Sequence, residues 1–141
     1  MATWVLVANR TGARIFVRGG RKLGVVGQFD NPSGRRTDED IEAGQPQRTF
    51  DRHGRGHDPR SSPHEHAAEA FARDLAAELR SGRTERHVDR IVLVAEPHFL
   101  GLLRHELDEA TSRLVASSVA KDLVKCDAHE LEPYVNDVLP L

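Results

Sequence analysis

Five consecutive apolar residues, Ile91-Val92-Leu93-Val94-Ala95, constrain the fold most. Successive side chains of a strand point to opposite faces, so a run without polar alternation fits a strand covered on both sides. Ile91–Ala95 is therefore the candidate central strand, and helices are needed on the faces of its sheet.

The first thirty residues read as three more strands. Thr3–Ala8, Ala13–Val17 and Gly24–Phe29 are rich in Val, Ile and Phe, and turn residues separate them at Asn9-Arg10-Thr11-Gly12 and Gly19-Gly20. Connections this short imply an antiparallel meander.

A helix is expected from Pro63. Ser62 serves as N-cap, Pro63 takes the first helical position and Glu65 completes a capping box. Ala67, Phe71, Leu75 and Leu79 form one apolar face, Glu69 and Arg73 pair on another, and Gly82 supplies a stop.

After the Ile91–Ala95 strand comes a second helix, with Pro97 at its start and Phe99, Leu100, Leu103 and Leu107 along one side; a last strand covers Leu114–Ala120. Asp127 and Glu130 hold capping-box positions, but Pro133 predicts a break, with Tyr134, Val138 and Leu139 packing as a separate turn or short helix. The expected fold is thus α/β, a single domain over 1–141 with an RNase H-like mixed sheet. Its order is a three-strand antiparallel meander, then helix-strand-helix-strand-helix, with a long loop before the first helix.

At 141 residues the chain buries roughly 68–70% of the surface its unfolded form exposes. One cysteine, Cys126, excludes an internal disulfide. Nothing at the start reads as a secretory leader, and no run approaches the roughly 20 apolar residues of a membrane-spanning helix. A cytoplasmic location without membrane association is the expectation.

Residues 31–62 break the pattern, with Ile41 and Phe50 as their large apolar residues amid Gly, Pro, Arg, Asp and His. Loops of this length inside a compact domain are uncommon and are usually functional or disordered. This one has two halves of opposite sign. Asp38, Glu39, Asp40 and Glu42 come first; Arg48, Arg52, Arg55 and Arg60 follow, interleaved with His53 and His57 and opposed by Asp51 and Asp58.

Formal net charge is −2, so no global basic field advertises a nucleic-acid partner, yet 17 of the 20 cations are Arg. Guanidinium forks suit phosphate oxygens, and Gly54 and Gly56 allow close backbone approach. RNA contact through Arg48, Arg52, His53, Arg55 and His57 is the leading reading. Mutual neutralisation on a surface loop, and an Arg excess inherited from a GC-rich genome, are the plain alternatives.

Other chemistry has weaker support. His53, His57, His64 and His66 cluster with Asp58 and Glu65, but without a recognised metal-ligand spacing, so no metal and no cofactor is expected. A two-metal nuclease needs clustered carboxylates, and Glu96 is the one well-placed candidate. Ser117 and Ser118 lack a nucleophile elbow, and Cys126 has no motif around it. Glu96-Pro97-His98 follows the central strand, where open α/β sheets place ligands, so Glu96 and His98 are cleft candidates; the same segment also suits a simple helix start.

Several stretches together resemble the bacterial host attachment proteins, distant relatives of the middle domain of archaeal and eukaryotic class-one peptide chain release factors. They are Trp4-Val5-Leu6-Val7-Ala8-Asn9-Arg10, Ala13-Arg14-Ile15-Phe16, Pro46-Gln47-Arg48-Thr49-Phe50-Asp51, His64 to Ala72, Pro97 to Arg104 and Lys121-Asp122-Leu123. The resemblance covers nearly the whole chain and implies an RNase H-like fold and a role at the ribosome. In the release factors a long loop carries Gly-Gly-Gln to the peptidyl transferase centre. The nearest approach here is Ala43-Gly44-Gln45, with one glycine replaced and on the acidic side of the loop. Asn9 stands where the family often has Asp.

Three functions are consistent with these residues. The first is a non-catalytic module that binds the ribosome or tRNA in translational stress or rescue. The second is a peptidyl-tRNA ester hydrolase using Gln45 to orient water. The third is a partner-binding protein connected with attachment. An exposed sheet edge could also pair two copies as a homodimer.

Overall fold

A computed structural model describes residues 2–35 and 63–140, apart from the side chains of Arg35 and His64. Its elements follow the expected order. Strands β1 (Ala2–Asn9), β2 (Gly12–Gly19) and β3 (Lys22–Asp30) precede a 3-10 turn, Pro32–Arg35. Helix α1 (Pro63–Glu85), strand β4 (Val88–Val94), helices α2 (Pro97–Glu106) and α3 (Glu109–Ser112), strand β5 (Val115–Val119) and helix α4 (Ala128–Val138) follow.

The five strands form one sheet in the order β3-β2-β1-β4-β5. β1 pairs antiparallel with β2 and parallel with β4, and β4 pairs parallel with β5. This is the RNase H-like mixed sheet. β4 lies inside it, and β1 occupies the middle.

Alternation explains the apolar runs. Ile91, Leu93 and Ala95 join Trp4, Leu6 and Ala8 in a core against α1 and α2, with Phe71, Leu75, Leu79, Phe99 and Leu103. Val92 and Val94 join Val5, Val7 and Phe16 in a second core on the opposite face, closed by Leu131 and Val135 of α4. Each fully buried aliphatic side chain contributes about 1.5–3 kcal/mol.

Four local expectations need correction. Gly82 does not end the first helix, which runs to Glu85; Gly82 instead lets α1 lie against Trp4, because a Cβ there would stand 2.8 Å from Cη2 of the indole. The helix gives way at His87, whose φ of 58° turns the chain into β4. Pro133 does not break α4, which is fixed by the Asp127–Glu130 capping box and by burial of Leu131 and Val135 on either side of the proline. Tyr134 belongs to that continuous helix and is 36% exposed, with Lys121 Nζ 5.4 Å above its ring.

Arg73 reaches across to Glu106 of α2 at 3.4 Å, an interhelix contact where pairing with Glu69 was expected. Finally, the irregular stretch expected from residue 31 begins with order: Pro32–Arg35 form the 3-10 turn, and the Asn31 N–H donates to the Thr11 carbonyl at 2.9 Å.

Candidate functional site

Because β1, β4 and β5 are parallel, their carboxyl ends lie along one edge of the sheet. Asn9 closes β1 there. Its Oδ1 accepts hydrogen bonds from the Thr11 N–H (2.8 Å), the Thr11 hydroxyl (2.7 Å) and the Gly12 N–H (3.1 Å), which fixes the β1–β2 turn. Its Nδ2 donates to Asp122 Oδ2, 3.2 Å away beyond β5. An Asp at position 9 would face Asp122 as a second carboxylate, so the amide at Asn9 and the carboxylate at Asp122 belong together.

The same turn holds the chain on both sides of the 36–62 segment. On the entering side, Asn31 Nδ2 donates to the Arg10 carbonyl at 2.8 Å and to the Ala67 carbonyl at 3.5 Å. Gly34 packs against that Arg10 carbonyl so closely that a Cβ would overlap it. On the leaving side, the Glu65 carboxylate in the first turn of α1 lies 3.9 Å from the Arg10 guanidinium and 2.9 Å from Nε2 of His98.

Both cleft candidates from the sequence therefore have structural work. The Glu96 carboxylate caps α2, accepting from the His98 N–H (2.9 Å) and the Phe99 N–H (2.7 Å). The His98 ring is turned to Glu65, 33 residues away in sequence. Ser117 and Ser118 are also engaged: the Ser117 hydroxyl donates to the Val138 carbonyl at 2.7 Å, and the Ser118 hydroxyl oxygen accepts from Arg104 at 2.9 Å. The Arg14 guanidinium spans the Val124 and Cys126 carbonyls and stacks over Phe16.

Gln45, Arg48, Arg52, His53, Arg55, His57 and Arg60 lie outside the described residues, as does Ser62, the expected N-cap of α1. Among the described residues no group of three or more His, Cys, Asp or Glu is arranged to hold a metal ion. No helix among them is long and apolar enough to cross a membrane. Sequence reasoning missed the anchoring roles of Asn9, Arg10, Asn31, Glu65 and Asp122. Asn9 and Arg10 read as turn residues, and the bond from Asn9 to Asp122 spans 113 positions.

The fold, a five-stranded mixed sheet with helices on both faces, is shared with larger proteins of known structure. A solved structure of an archaeal translation termination factor superimposes with a TM-score of 0.60 at 13% identity, covering 99% of this chain and 35% of that one. A second solved structure, described as an archaeal protein, gives 0.52 at 13% identity, covering 96% and 33%. The chain thus spans about a third of the length of either protein. No curated protein matches. Residues 4–135 match the family described as "Protein required for attachment to host cells", and the chain belongs to that family.

Proposed function

We propose that this protein is a non-catalytic RNA-binding module associated with the ribosome or with tRNA, acting in translational stress or rescue from the cytoplasm. The observation that carries the reading is the shared anchor: Arg10 and its turn hold Asn31 and Gly34 before the 36–62 segment and Glu65 after it. The segment between these two anchors, residues 36–62, carries Arg48, Arg52, Arg55 and Arg60 in its sequence. Guanidinium groups spaced this closely along a chain suit phosphate oxygens as bidentate donors. Likeness to a termination factor supports the ribosome as the source of that phosphate.

Arg48, Arg52 and Arg55, with His53 and His57, form the contact set. The test is co-sedimentation with purified ribosomes at near-physiological salt. The wild-type chain sediments with them, and a variant carrying Arg48→Ala, Arg52→Ala and Arg55→Ala stays in the supernatant. Equal sedimentation of the two ends the proposal.

A further inference from the structure

We infer that the outer edge of β3, with the cleft beside it, is a docking surface for a basic peptide in extended conformation. It includes none of the residues proposed above for RNA contact.

Four features converge on it. Among the described residues β3 ends the sheet, so one side of its backbone has no partner strand there. Glu132 of α4 covers the start of that edge among the described residues, its carboxylate accepting from the Leu23 N–H at 3.2 Å. Beyond it, Val25 is 60% and Val26 37% exposed, two of the three large apolar side chains exposed among the described residues. Both are exposed although adjacent in sequence, at the place where the β2–β3 register shifts between Ile15 and Phe16 and interrupts the alternation of faces. Gly24 leaves the approach open among the described residues: a Cβ there would meet Val17 Cγ1, at 3.9 Å, and nothing nearer. A glycine inside a strand commonly marks a place where another backbone comes close.

The cleft supplies the chemistry that selects the partner. It lies between the end of β3 and α1, has a volume of about 380 Å³, and is lined by Phe29, Phe71 and Leu75 together with Asp30, Asp74 and Glu78. Asp74 and Glu78, one helical turn apart on α1, have no cationic partner among the described residues. Aromatic and aliphatic walls beneath carboxylates suit the long stem and charged head of an Arg or Lys side chain. Main-chain hydrogen bonds along an open edge supply affinity, and pockets for alternate side chains supply specificity. The occupant is therefore a basic, extended polypeptide. Phosphate-bearing RNA is disfavoured by the carboxylates, and self-pairing by the bulge, which twists the edge.

The test uses a fluorescein-labelled ten-residue peptide of alternating Arg and Val, read by fluorescence anisotropy, with an alternating Glu and Val peptide as control. Amide chemical shifts locate the contact. We expect the Arg peptide to bind with shifts confined to β3 and α1. Affinity should fall at least tenfold in an Asp74→Asn, Glu78→Gln double variant, whose changes lie on the exposed face of α1, and at least tenfold when alternate peptide amides are N-methylated. Four results would overturn the inference: no binding, equal binding of the Glu peptide, indifference to both changes, or a dimer of the free protein that already covers β3.

Discussion

Gly82 lies flat against the indole of Trp4, with no room between helix and ring for a methyl group. In an isolated helix, replacing Gly by Ala gains about 1 kcal/mol. Here the added atom must displace Trp4, which is 6% exposed, and overpacking of that kind costs about 1–3 kcal/mol. Gly82→Ala is therefore predicted to destabilise the protein. Trp4 is the chain's one tryptophan, so urea unfolding followed by its fluorescence reads the change directly. A higher midpoint in the variant would refute the packing argument.

Pro133 carries the opposite prediction. α4 continues through it without the hydrogen bond its nitrogen would otherwise donate, a defect worth about 3 kcal/mol in a helix interior. Leu131 and Val135 hold the helix on the second core regardless. Pro133→Ala should raise stability by about 1–3 kcal/mol, measured by denaturant titration.

Asp108 gives a pH-dependent prediction. Hydrogen bonding from the Thr111 side chain lowers its pKa below the ordinary carboxylate value most strongly, burial opposes this, and backbone N–H groups with the Arg83 guanidinium at 3.5 Å add to the lowering. A carboxyl group with a depressed folded-state pKa stabilises the fold above its unfolded pKa of about 3.9 and loses that contribution as pH falls through the folded value. Thr111→Val should return the Asp108 pKa toward the ordinary value in an NMR titration and flatten the acid limb of stability that Asp108 contributes.

The contact between His98 and Glu65 is partly exposed, so its net contribution to global stability is at most about 1 kcal/mol. Its effect is local. Glu65→Gln should leave the urea midpoint within that range while speeding hydrogen exchange in the first turn of α1.

Much of this architecture was legible in local patterns. The unbroken run Ile91–Ala95 announced a two-faced strand, the meander followed from two short turns, and the Asp127–Glu130 capping box appeared where expected. Gly82 and Pro133 misled because their local tendencies, to stop and to break a helix, were overridden by packing against Trp4 and by the second core. The anchored edge was illegible for a different reason. Asn9 with Asp122, Arg10 with Asn31 and Glu65, and Glu65 with His98 are distant in sequence, and no local periodicity marks such partners. His98 and Glu96 drew notice by position; the contact of His98 with Glu65 and the capping of α2 by Glu96 were not marked by any local pattern.

The most direct measurement is the salt dependence of ribosomal RNA binding, comparing wild type with the Arg48→Ala, Arg52→Ala, Arg55→Ala variant. Each phosphate neutralised on single-stranded nucleic acid contributes a slope of about −0.7 in log affinity against log salt. The variant's slope should be shallower by about 2, three contacts at about 0.7 each. Parallel slopes with equal affinities would contradict it.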